Sequence, residues 1–341
     1  MKLIEWLGLL VRRQWLTRRV SMARDEWSPL RRPDSQRALT ILAKFIAEAE
    51  QIGETQTLHV CCAAAGLIHH QEGSFEESTV MLERALRLKE ERSLMPILGL
   101  NYLRLRRYDD AIAVLTRATE LDPGSSISYN TLGVVYEEMG RYQNALLAYQ
   151  HAIRLDPKDA AYHTNLGNAY SLLDRDDETL AAYQRAIELN PDYPPPHNNL
   201  AGLYVDQGRY AEATKELHER IRLKPDSVFL PYALLGIVER LQGLPESAEQ
   251  FHQALAQWDA ARQEYSSRPF IVLAAKAVAL MCIGNTEEAL KALADALSKM
   301  APGDKIDFAV YELLRTAPEP PKGVEQMIAM LKEAQARRQP Q

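Results

Sequence analysis

The sequence predicts an all-α fold: an α-solenoid of about six to seven antiparallel helix pairs, with capping helices at its ends. Three observations predict it. Two stretches, "YNTLGVVYEEMGRYQNALLAYQHAIRLDP" at 129–157 and "HTNLGNAYSLLDRDDETLAAYQRAIELNP" at 163–191, share one skeleton at a spacing of 34 residues. The shared letters are small residues, aromatics and a terminal proline, the kinds that set helix contacts and helix ends. Strand-like runs are absent from the sequence. A fixed period of this size marks one supersecondary unit that buries its apolar face only by stacking on its neighbours. With 341 residues, 46% of them hydrophobic, the chain has ample material for such a stack.

The elements follow in order. "PDSQRALTILAKFIAEAEQ", residues 33–51, reads as a leading helix within 33–58. The repeats occupy about 59–299, beginning with a weak copy marked by Cys62, Gly66, Gly73, Leu82 and Ala85. Leu98-Gly99, Tyr102, Ala111, Ala118 and Pro123 then keep phase with Leu132-Gly133, Tyr136, Ala145, Ala152 and Pro157. Leu166-Gly167, Tyr170 and Pro191 follow 34 residues on, and Leu200-Ala201, Tyr204 and Pro225 follow 34 further. Each letter has a mechanical reason. Gly133 and Gly167 let the second helix of a pair lie close to the first, and Tyr136 and Tyr170 fill the gap between them. Ala145 sits where the partner helix crosses tightly, with Tyr149 and Ala152 on the same face. Asp-Pro or Asn-Pro ends the second helix, because proline restricts the residue before it and cannot continue the ladder. Gly140 and Gly208 suit helix C-termini.

Two weaker copies come later. Tyr232, Leu235-Gly236, Gly243, Ala248 and Leu255 mark one; Leu273, Ala277, Leu280, Gly284, Ala289, Leu293 and Ala296 mark the other. Within 300–341, residues 305–315 and 323–338 read as closing helices split by "APEPPKG", ahead of a short tail. Thr179 replaces the usual alanine, Leu217 and Arg220 replace an aromatic and an alanine, and the unit at 270–297 lacks the glycine and tyrosine. Looser packing or local curvature is expected at those copies.

The pattern resembles the tetratricopeptide repeat family, most specifically over 92–225. The resemblance implies a right-handed superhelix whose first helices line a concave face. It also implies a non-enzymatic scaffold or adaptor that binds a partner protein, or an extended peptide segment of one, on that face. Counting the glycine as the eighth position of each copy, positions 2, 5, 6, 9, 12 and 13 look inward. These include Leu100, Leu103 and Arg104 in the copy from 92, and Asn130, Val134, Glu137 and Glu138 in the copy from 126. They include Thr164, Asn165, Asn168 and Ser171 from 160, and Asn198, Asn199, Val205 and Asp206 from 194. The candidate partner contacts are Arg104, Asn130, Glu138, Asn165, Asn168, Asn198, Asn199 and Asp206.

Asparagine recurs in this set, and its amide both donates and accepts, so it pairs with a peptide group in either sense. Asn165 and Asn199 are similar to the asparagine ladder in the repeat arm of O-linked N-acetylglucosamine transferases, which cradles extended polypeptides. Thr131 at the equivalent place shortens the ladder, and an ordinary polar helix surface is the alternative reading. The family's carboxylate clamp needs inward Lys and Arg, which positions 130, 134, 164, 168, 198 and 202 do not supply.

Other chemistries find little support. A net charge of −6 is too mild and of the wrong sign for nucleic acid binding by the whole chain. Cys61, Cys62 and Cys282 make no disulfide framework and fit a reducing cytoplasm. "HVCCAAAGLIHHQEG", residues 59–73, suggests a metal site, but His59 and Cys62 supply two ligands where a structural zinc takes four. There is no phosphate loop, dinucleotide fingerprint, HExxH or GxSxG, so neither a catalytic residue nor a cofactor is expected. "DRDDE" at 174–178 falls in an inter-helix turn and reads as solvated surface.

The N-terminal arm, residues 1–32, is the second informative feature. Residues 1–37 hold nine basic and four acidic side chains, a net of +5 within a total of −6, which leaves −11 on the remainder. Leu3, Trp6, Leu7 and Leu10 fall at i, i+3, i+4 and i+7, followed by Arg12, Arg13, Trp15, Arg18 and Arg19. The apolar run is interrupted by Glu5 and is far shorter than the ~20 residues that span a bilayer. It also lacks the cleavage site of a signal peptide. Three readings stand for it: docking on its own first repeats, insertion into a partner's groove, or lying on an anionic membrane surface through residues 1–20. Contacts would come from Trp6, Leu7, Leu10, Arg12, Arg13 and Trp15. Alternatives to a plain scaffold are a regulatory or inhibitory subunit that clamps an enzyme with this arm, and an assembly factor peripheral at the membrane.

Overall fold

The computed structural model describes residues 35–225, 229–264, 269–300, 315 and 320–338. The arm, with Trp6, Leu7, Leu10, Arg12, Arg13 and Trp15, lies outside them, as does the helix expected over 305–315 apart from Arg315. Every regular element among the described residues is helical, as an α-solenoid requires. The chain divides into two compact units, Met1–Asp174 and Arg175–Gln341.

In the first unit α1 (Ser35–Ile52) packs on α2 (Thr55–Gln71), which pairs with α3 (Phe75–Leu88). A 3₁₀ turn, Arg92–Leu94, leads into α4 (Met95–Arg104), which pairs with α5 (Tyr108–Leu121). α6 (Ser126–Glu138) pairs with α7 (Tyr142–Leu155), and α8 (Ala160–Ser171) packs on α7. The pairing depends on one recurrent contact. A Cβ built on Gly66 would lie 2.7 Å from the Leu82 side chain, and one on Gly99 would lie 2.7 Å from Leu115. At Gly133 it would meet the Tyr149 ring at 2.5 Å. A bare backbone at the eighth position thus receives the side chain sixteen residues later, and Leu82, Leu115 and Tyr149 are wholly buried there. Burying such a side chain is worth about 1.5–3 kcal/mol, so the contact repeats as the main apolar element of each copy.

The turns carry two further devices. After α6, Gly140 takes φ 72° while its N–H bonds to Glu137 O and the Arg141 N–H bonds to Tyr136 O at 2.8 Å. This satisfies carbonyls that the helix end leaves open. Arg106 makes the same turn after α4 with φ 58°, in a region that costs an L-residue about 1–2 kcal/mol. At the second-helix ends, Asp122 and Asp156 are extended, and each side chain accepts the N–H two residues on at 3.2 Å. The residue before the proline is therefore an Asx-turn former as well as a stop signal.

Between the first two copies the core is largely apolar, with one hydrogen-bonded polar cluster inside it. Ser78 Oγ donates to Gly66 O at 2.6 Å and accepts from Asn101 Nδ2 at 2.7 Å. Asn101 Oδ1 accepts from His70 Nδ1 at 2.6 Å, and both Ser78 and Asn101 are fully buried.

In the second unit α9 (Asp176–Leu189) is followed by α10 (Pro194–Asp206), paired with α11 (Tyr210–Leu223). α12 (Phe229–Leu241) pairs with α13 (Ser247–Ala256), and Phe251 fills the space beside Gly236. α14 (Trp258–Glu264) is an extra short helix not read in the sequence; Trp258 packs edge-on against Phe229 at 5.8 Å and carries Lys276 over its ring. α15 (Pro269–Cys282) pairs with α16 (Thr286–Ser298), and α17 (Val324–Arg338) closes the stack by burying Val324, Met327, Ile328 and Leu331. The positions of the departures are buried, Arg220 among them. Thr179 is fully buried with its hydroxyl donating to Arg175 O at 2.9 Å, and Leu217 is fully buried. Ala277 and Leu293, which stand where glycine and tyrosine are missing, are also fully buried. A methyl for a hydrogen at the eighth position is matched by an aliphatic for an aromatic opposite it, so volume is conserved.

Candidate functional site

The inward positions of the first helices behave differently in different copies. In α2 four of them are apolar. Val60, Ala63, Ala64 and Leu67 occupy positions 2, 5, 6 and 9, all half-buried and packed at the edge of the two core clusters that α2 joins. With Leu42 of α1 and Ser93, Leu94 and Ile97 they line an open groove of about 480 Å³. His59 closes one side, 2% exposed, with Nδ1 2.9 Å from Ala85 O and Nε2 2.8 Å from Glu91 Oε2. The hydrogen bonds from His59 and then Ser93 hold the Glu91 carboxyl below its usual range, against a smaller opposing effect of burial.

The wall of the groove falls in the 59–73 stretch, whose histidines and cysteines suggest a metal site in sequence. Counting the same inward positions from Gly66 names its wall. His59 is spent on Ala85 and Glu91, and Cys62 is fully buried in the core. Among the described residues no three metal-ligating side chains converge. Burial pushes the Cys61 thiol up to about 12 and Cys62 to about 11.

In α6 and α8 the inward positions are more polar, although Ile127 and Val134 fall among them. Asn165 Nδ2 donates to Asn130 Oδ1 at 2.9 Å, joining consecutive copies by their amides. The pair uses one donor and one acceptor, which leaves amide N–H groups and a carbonyl oxygen on the same face. Asn168 is half-buried nearby on α8, and Arg104 and Glu138 are exposed at the ends of α4 and α6. Glu137 is half-buried and accepts the Tyr149 hydroxyl at 2.9 Å, so it serves the packing of its own copy. Thr131 and Thr164 are buried, each bonded back to the carbonyl four residues earlier at 2.8 Å. In the second unit Asn198 and Asn199 are half-buried on α10, and Asp206 is exposed at its end. Two residues named as inward are core instead: Leu103 and Val205, at position 12, are 8% and 4% exposed. An apolar side chain there turns into the stack, where its transfer energy is recovered.

Stacked helix pairs with a graded inner face define a helical-repeat protein. Residues 98–160, 160–193 and 182–215 each match the tetratricopeptide repeat family, so repeats of this kind occupy 98–215 of the chain. No curated protein matches the chain. Among solved structures, pilF of Pseudomonas aeruginosa is similar with a TM-score of 0.50 and 17% identity, covering 62% of this chain and 94% of that one. TTC0263, a thermophilic TPR protein of Thermus thermophilus, has a TM-score of 0.45 and 23% identity over 49% and 92% of the two chains. YrrB, described as a TPR protein with an unusual peptide-binding site, has a TM-score of 0.40 and 24% identity over 48% and 81%. At these identities the likeness bears on the fold alone.

Proposed function

We propose that this protein is a non-enzymatic scaffold or adaptor that holds an extended segment of a partner polypeptide along the inner face of its first helices. The observation that carries this reading is the amide pair Asn130–Asn165, which joins two successive copies on one face. A polypeptide backbone presents donors and acceptors in alternation, and amides at one-copy spacing match that alternation without demanding a side-chain sequence. Asn198 and Asn199 offer the same amide chemistry in the second unit, and Asp206 offers an acceptor. Several modest contacts per copy, held on rigid helices, lower the ordering cost on one side of the complex. The three cysteines, all buried and unpaired, are in keeping with a reducing cytoplasm. Among the described residues no helix is long and apolar enough to cross a membrane.

The test is affinity capture with the tagged full chain, read by mass spectrometry, alongside Asn130→Ala/Asn165→Ala. A protein retained by the wild type and lost by the variant, at unchanged melting temperature, is the expected result. An identical retained set with both would sink the reading.

A further inference from the structure

The apolar groove is separate from the amide face, and it is matched by a segment of this chain. Its wall runs along α2 from His59 to Ile68, nine residues or about 13.5 Å of helix. The arm carries Leu3, Trp6, Leu7 and Leu10 on one helical stripe, which spans about 10.5 Å. Arg12, Arg13, Arg18 and Arg19 then follow in a chain whose remaining residues are acidic on balance. The groove wall is apolar where the stripe is apolar, and Glu91, with its side chain 39% exposed, is the carboxylate that lines it. The chain enters the described structure at Ser35, the start of α1, the same helix that contributes Leu42 to the groove.

We propose that residues 3–11 of this chain form a helix that fills the groove between α1, α2 and the 91–97 segment, covering the inner face of the first copy. Tethering decides between this occupant and an external one. From Val11 to Ser35 there are 24 residues, and a random coil of that many residues has a root-mean-square span of about 27 Å, whatever shorter path the arm takes. That places the stripe at an effective concentration in the millimolar range, which a free partner helix of equal affinity does not reach.

The test uses the full chain with p-benzoylphenylalanine in place of Ser93, an exposed residue on the groove's rim. On irradiation the probe captures residues 3–11 of the same molecule, and Leu7→Asp/Leu10→Asp lowers that capture at least tenfold. A second measurement leaves the groove unaltered: Leu7→Asp/Leu10→Asp raises the fluorescence of anilinonaphthalene sulfonate severalfold over wild type as the groove opens. Capture of a second copy overturns the proposal. So does absence of capture from residues 1–20 together with equal dye binding by wild type and variant. Sedimentation of the wild type with phosphatidylserine vesicles, without any capture, overturns it in favour of a lipid surface.

Discussion

At the scale of single residues, the repeat tolerates substitution of side chains and stores strain where the backbone turns. Thr179 is buried in place of the usual alanine and hides its hydroxyl on Arg175 O. At Arg106 the cost lies in the backbone. It holds φ 58° in a turn with the bonding that Gly140 makes at φ 72°, with its own N–H on Leu103 O and the Arg107 N–H on Tyr102 O. Glycine pays none of the steric cost of that region but loses more entropy on folding. Arg106→Gly is therefore expected to stabilise the protein by about 0.5–1 kcal/mol net. A thermal melt checks it, and a melting temperature at or below wild type refutes it.

At the scale of elements, polar groups between helices set local stability. Asn101 bridges α3 and α2, taking the His70 N–H and supplying a donor to Ser78 Oγ. Asn101→Ala takes the acceptor from half-buried His70 and one of two partners from buried Ser78 and opens a small cavity, a loss of about 2–4 kcal/mol by urea unfolding. A cost below about 1 kcal/mol would mean that water replaces the amide. The second interhelical pair titrates. His197 on α10 is buried with Nδ1 2.6 Å from Glu216 Oε2 on α11 and Nε2 3.2 Å from Pro191 O. Burial opposes its charge, but the bonds to Glu216 and Pro191 outweigh burial, and the imidazole titrates above its ordinary range. A raised folded value means that this stability is fully present below the unfolded value near 6.5 and is lost as pH rises through the folded one. The wild type should thus lose stability above neutral pH relative to Glu216→Gln, and parallel melting curves from about pH 6 to 9 would contradict it.

At the scale of the whole molecule, the parts legible in sequence were those that repeat. Gly66, Gly99 and Gly133 against Leu82, Leu115 and Tyr149 form one contact in three copies, and a period exposes it directly. The inner face was only partly legible. Its positions follow from the repeat, but which copies carry a groove depends on the bulk at each position, and Val60, Ala63 and Ala64 show it only once α1 and the 91–97 segment stand beside them. Position 12 misled because an inward register assumes a polar side chain, and Leu103 and Val205 turn into the core instead. Such a stack has a further consequence. Each copy contacts its neighbours in the chain, so stability is close to a sum of copy and nearest-neighbour contributions. Met327 on α17 is fully buried against α15 and α16, in a core with Met281 and Leu293. Met327→Asp buries an unpaired carboxylate at that end and should open α15, α16 and α17 first. In hydrogen exchange read peptide by peptide, protection falls over 269–298 and 324–338 while 98–171 keeps its wild-type rates. Equal loss of protection in both stretches would show a single cooperative body, because a nearest-neighbour stack spreads a terminal defect only as far as its interfaces are weaker than the copies they join.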